Sequence, residues 1–78
     1  MASTWQYPGR LEVYGAIGAR IRAARITAGL TQAALADACE VRRTSIVNIE
    51  AGRQRLPVQL VYDIAEVLGV PPKSLLPD

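Results

Sequence analysis

Arginine dominates the chemistry available to this chain. Eight of its nine cationic side chains are Arg and only Lys73 is Lys, against seven acids and no His. A guanidinium is a planar fork of donors that pairs bidentately with phosphates, carboxylates and the edges of planar rings. The Arg residues are unevenly placed. Residues 41–57 hold Arg42, Arg43, Arg53 and Arg55 with one acid, Glu50, whereas residues 58–78 hold three acids and Lys73. A basic middle beside a mildly acidic end describes one surface that faces a polyanion, at a formal net charge of only +2. The plainer interpretation of the same charges is an Arg-rich solvated face.

Other chemistries are excluded by what is missing. With no His and the single Cys39, neither a Cys/His metal site nor an internal disulfide can be built. The acids are scattered and form no nucleophile–base pair, so no enzyme is expected. Gly9, Gly15 and Gly18 have no strand before them and make no phosphate loop. An acyl-carrier-type bundle would be acidic and carry an Asp-Ser-Leu serine, which is absent. No apolar run approaches the roughly 18 residues of a membrane span, and MASTWQYPGR has no basic start followed by an apolar stretch, so neither a membrane partner nor a signal peptide is expected. Cofactors are not implied, and a cytoplasmic location, bacterial or phage-encoded, is expected.

The elements that must position the Arg-rich segment are helices. Ala is abundant and strand-like alternation is nearly absent. The expected fold is all-α, a compact bundle of five short helices, with a flexible arm over residues 1–10 and the folded domain over 11–78. Trp5 and Tyr7 in the arm either dock on the domain or a partner, or lie on the surface. The first helix is expected over 11–28, with Ile17, Ile21 and Ala24 in one buried stripe and Gly29 as its left-handed stop. Thr31 is a natural N-cap for a second helix over 32–38, with Leu35 and Ala36 inward. A third helix covers 43–51, with Ile46 and Ile49 inward and Gly52 ending it. Pro57 opens a fourth, which stops at Gly69 and turns Val58, Val61, Ile64, Ala65 and Leu68 to one face. Pro71-Pro72 begins a last helical turn with Leu75 and Leu76.

Two short helices across a three- or four-residue turn read as a helix-turn-helix. Val41, Ile46 and Ile49 hold the third helix down. That leaves Arg43, Thr44, Val47, Asn48 and Ala51 outward, a face of short polar groups and an exposed Val. Such a face suits a DNA major groove, where Arg pairs with guanine O6 and N7, Asn with adenine N6 and N7, and Thr or Val meets a thymine methyl.

Leu30-Thr31-Gln32-Ala33-Ala34-Leu35-Ala36-Asp37, Val41, Arg43-Thr44-Ser45-Ile46, Asn48-Ile49-Glu50 and Gly52 resemble the lambda-repressor-like (Cro/CI-type, XRE) helix-turn-helix family. Ile17, Ile21-Arg22, Ile64-Ala65, Leu68-Gly69-Val70 and Leu75 extend the resemblance over residues 14–76. It implies a sequence-specific regulator of transcription that binds double-stranded DNA. Base contacts then fall on Arg43, Thr44, Val47 and Asn48. Phosphate contacts fall on Gln32, Arg53 and Arg55, the last two also readable as ordinary surface Arg, while Arg42 at the rim meets base or phosphate. Arg25 and Glu50 stand where the family often has a structural ion pair, which makes both structural, with phosphate as an alternative partner for Arg25.

Three positions depart from the family pattern. Glu40 occupies a turn position usually held by Gly, Arg42 replaces the usual capping Ser, and Ala34 replaces the capping-box acid. Cys39 stands for an apolar core residue and reads as a small hydrophobe.

One helix-turn-helix covers too few base pairs to be selective, so a homodimer on a palindromic operator is expected. Leu60, Val67, Val70, Leu75 and Leu76 either form the dimer interface or close the core. Repression by promoter occupancy is the simplest output. The alternatives are an antitoxin or protein-interaction adaptor of the same fold, and a restriction–modification controller that activates.

Overall fold

The computed structural model describes residues 10–77. Over them the chain forms α1 (Arg10–Thr27), α2 (Gln32–Cys39), α3 (Arg43–Glu50) and α4 (Val58–Leu68), then a 3-10 turn, Pro72–Leu75. No strand occurs among the described residues. No helix there is long and apolar enough to cross a membrane.

Two expectations about the elements change. The fifth helix is a single 3-10 turn, a segment of only four residues that is too short for an α-helical ladder. Arg10 belongs to α1. Residues 1–9, with Trp5 and Tyr7, lie outside the described residues.

Local chemistry sets the boundaries. Gly29, Gly52 and Gly69 take left-handed φ angles of 76°, 76° and 72° at the ends of α1, α3 and α4. Thr31 caps α2, its Oγ1 accepting the Ala34 N–H at 3.0 Å. At the other end of α2 the Val41 N–H bonds to the Ala36 carbonyl at 3.0 Å, closing the turn. This places Glu40 at φ 59°, the lone positive-φ residue other than Gly among those described. A side chain in that conformation costs about 1–2 kcal/mol. Arg42 precedes α3 as its N-cap and makes no side-chain capping hydrogen bond.

Packing of these elements holds the α2–α3 unit in place. Ile21, Leu35, Ile46, Ile49, Ile64 and Leu75 are the largest fully buried side chains. Burying each stabilises the fold by about 1.5–3 kcal/mol. α3 lies against α2 and α1, while α4 lies against α2, α1 and the closing turn. Gly18 permits the α1–α3 approach. A Cβ there would overlap the Ile49 carbonyl oxygen and lie 2.9 Å from that of Glu50. Val58, expected inward from its wheel position, is 72% exposed because it starts α4 beyond the edge of the core. Ala24, expected in the buried stripe, is half-buried.

Candidate nucleic-acid interface

The site is built on one ion pair. Arg25, in the last turn of α1, donates from Nε to Glu50 Oε2 at 2.6 Å and from Nη2 to Glu50 Oε1 at 3.0 Å. Its Nη1 donates to the Leu30 carbonyl at 2.8 Å, so one side chain ties α1, the lead-in to α2, and the end of α3 together. Both residues are buried. The Glu50 hydrogen bond raises the Arg25 pKa above the ordinary guanidinium value against the opposing effect of burial, and the Arg stays charged. Glu50 sits at the C-terminal end of α3, where the helix dipole disfavours a carboxylate, so its partner offsets an unfavourable position.

Gln32 joins this pair. Its Nε2 donates to Glu50 Oε1 at 3.1 Å, which holds the first residue of α2 against the end of α3. The backbone amides of Gln32 and Ala33 have no intrahelical acceptor, and they leave the N-terminus of α2 able to meet an anion.

The outward side of α3 follows. Arg42, Arg43 and Thr44 are exposed at its start, Val47 and Asn48 are half-buried one turn on, and Ala51 is exposed at its end. Arg53 and Arg55 are exposed on the loop beyond, which begins with the Arg53 N–H bonded to the Asn48 carbonyl at 2.9 Å. Between α1, α2 and α3 lies a hollow of about 310 Å³ lined by Arg22, Gln32, Val47, Glu50, Ala51 and Arg53. With the Glu50 charge matched by Arg25, the guanidiniums of Arg22 and Arg53 set the sign of this hollow. It can accept an anion of phosphate size.

Arg22 is the residue that sequence reasoning did not assign to the site. Its signal was its place next to the buried Ile21 and one turn before Arg25, on the side of α1 that meets the helix-turn-helix. Cys39 is half-buried at the end of α2, where burial first, and then the charge of Asp63, push the thiol pKa up. The thiol stays neutral and packs against the core.

The residues expected at a dimer interface differ in exposure. Leu75 is 1% exposed and belongs to the core, because the 3-10 turn folds back over α1 and α4. It is withdrawn from that surface. Leu60, Val67 and Val70 are half-buried against the core, and Leu76 is 41% exposed.

The fold and this face define a small all-helical protein built around a helix-turn-helix. Residues 16–76 match the helix-turn-helix domain family, and the chain belongs to it. The chain is 35% identical over 60 residues to control protein C.BamHI of Bacillus amyloliquefaciens, covering 76% of this chain and 74% of that one. Among solved structures it is similar to the clp gene regulator ClgR of Corynebacterium glutamicum, with 27% identity and a TM-score of 0.79 over 81% of this chain and 67% of that one. The restriction-modification controller protein C.AhdI of Aeromonas hydrophila matches with 25% identity and a TM-score of 0.77 over 81% of this chain and 96% of that one.

Proposed function

We propose that this chain, a DNA-binding transcription regulator, reads duplex DNA by laying α3 in the major groove. Arg43, Thr44, Val47 and Asn48 meet base edges, and Arg42 meets the adjoining backbone or the first base. Arg22, Arg53, Arg55 and the N-terminus of α2 hold phosphates, while Gln32, bonded to Glu50, fixes where that N-terminus points. The carrying observation is the face itself. Short hydrogen-bonding groups stand on α3 between exposed arginines, and the one carboxylate beneath them is already matched by Arg25.

Selectivity requires a second copy. Two units related by a two-fold axis reach successive major grooves about 34–36 Å apart, so the operator is a near-palindrome. Leu76 with the half-buried Leu60, Val67 and Val70 supplies the contact. The output is repression by occupancy of a promoter. The likeness to C.AhdI, a restriction-modification controller protein, supports a second reading, a controller of that kind whose output is activation. A reporter behind the selected operator separates the two by the direction of its response.

Selection of bound duplexes from a random library tests the proposal. It is expected to return two half-sites about 10–10.5 base pairs apart, centre to centre. A pool with no enriched sequence, and retention on duplex DNA that salt does not weaken, would favour the protein-interaction adaptor instead.

A further inference from the structure

On the side of the domain where α1 and α4 begin lies an apolar groove of about 340 Å³, separate from the hollow beside α3. Val13, Tyr14, Leu56, Val58 and Leu76 form its walls over Ile17 and Val61, and no charged side chain lines it. Three of the walls are open to solvent, Val58 at 72%, Val13 at 42% and Leu76 at 41%. Scattered exposed apolar residues are ordinary, but a concave cluster of them marks a seat.

We propose that the N-terminal segment of the same chain fills this groove, with the indole of Trp5 as its anchor. The segment joins α1 at Arg10, where the groove begins, since Val13 and Ile17 stand only about 4.5 and 10 Å further along the helix axis. Five residue steps separate Trp5 from Arg10 and span at most about 17 Å. Pro8-Gly9 is a turn-favouring pair, as a path back over α1 requires. Residues 2–9 carry no charged side chain, which matches a groove that has none. An indole buries about 150–250 Å², and the ring of Tyr14 gives it an aromatic neighbour. A second copy fits the groove less well as occupant, because a stable interface spans about 20–30 residues a side and seven line this hollow. The seat shares only Leu76 with the surface proposed for dimerisation.

Trp5 is the single tryptophan of the chain, so indole emission, excited at wavelengths that tyrosine does not absorb, reports on it alone. The full chain without DNA is measured over a dilution series, with acrylamide as quencher, beside Val58→Glu and Leu76→Glu. Both substituted side chains are exposed, and an acid at the first residue of α4 suits the helix dipole, so circular dichroism should show unchanged helix content. The expected result is blue-shifted, quencher-shielded emission that dilution leaves unchanged, and a red shift with loss of shielding in both variants. Emission of a solvated indole in the unmodified chain would overturn the proposal. So would shielding that vanishes on dilution, which would place Trp5 against a second copy, or shielding that both variants retain. None of these outcomes bears on DNA binding by α3.

Discussion

Glu50 accepts three hydrogen bonds from two other elements, and its removal should be felt beyond its own helix. Glu50→Ala leaves the Arg25 guanidinium buried and unpaired, and we expect a loss of about 3–5 kcal/mol in urea unfolding. Replacing both partners with apolar residues, Arg25→Met with Glu50→Leu, should recover most of that loss. The pair therefore fixes geometry more than it adds net stability. A single Glu50→Ala variant as stable as the parent would contradict this account. Glu40 makes the opposite prediction. Its left-handed backbone costs about 1–2 kcal/mol that Gly avoids, partly offset by the greater unfolded-chain freedom of Gly, so Glu40→Gly should stabilise by about 0.5–1 kcal/mol. A lower melting temperature would show that the Glu40 side chain contributes something beyond its backbone conformation.

At the scale of elements, α3 is presented because α1 lets it approach. Gly18→Ala forces a Cβ into the carbonyl oxygens of Ile49 and Glu50, and overpacking of this kind costs about 1–3 kcal/mol. We expect that loss together with weaker DNA binding, since α3 must tilt. The same change at Gly15, where a Cβ meets nothing within 4 Å, should be neutral or stabilising.

Much of this architecture is legible from residue patterns. Thr31, Gly29, Gly52 and Gly69 mark helix ends by local backbone chemistry, and the buried Ile21, Leu35, Ile46 and Ile64 follow helical spacing. What escaped the sequence depends on proximity across elements. A wheel turns Val58 inward but cannot show that it lies past the edge of the core. Leu75 reads equally as interface or core, and only the closing turn's place over α1 and α4 assigns it to the core. The bond from Gln32 to Glu50 and the placing of Arg22 beside Arg53 join residues 18 and 31 positions apart, which no local pattern encodes.

As a whole molecule the chain is nearly balanced, at formal net charge +2, yet four of its exposed arginines, Arg42, Arg43, Arg53 and Arg55, stand at the two ends of α3. Affinity for duplex DNA should therefore fall steeply with salt despite the small net charge, as counterions leave the phosphates. Sedimentation at micromolar concentration should show a dimer, alone or on the operator, and Val67→Asp should shift it toward monomer. A strict monomer in both states would remove the two-fold arrangement while leaving the single-site reading intact.

The proposed recognition of DNA rests on the outer side of α3 reading bases. The most direct test measures binding of Asn48→Ala, Arg43→Ala and Arg53→Ala to the selected duplex and to a panel with single base-pair changes. We expect Asn48→Ala and Arg43→Ala each to lose about 1–3 kcal/mol on the selected duplex and to discriminate less at one position. Arg53→Ala should weaken every duplex alike and lower the salt slope by about one. If Asn48→Ala and Arg43→Ala bind the whole panel as the parent chain does, α3 does not read bases and the account fails.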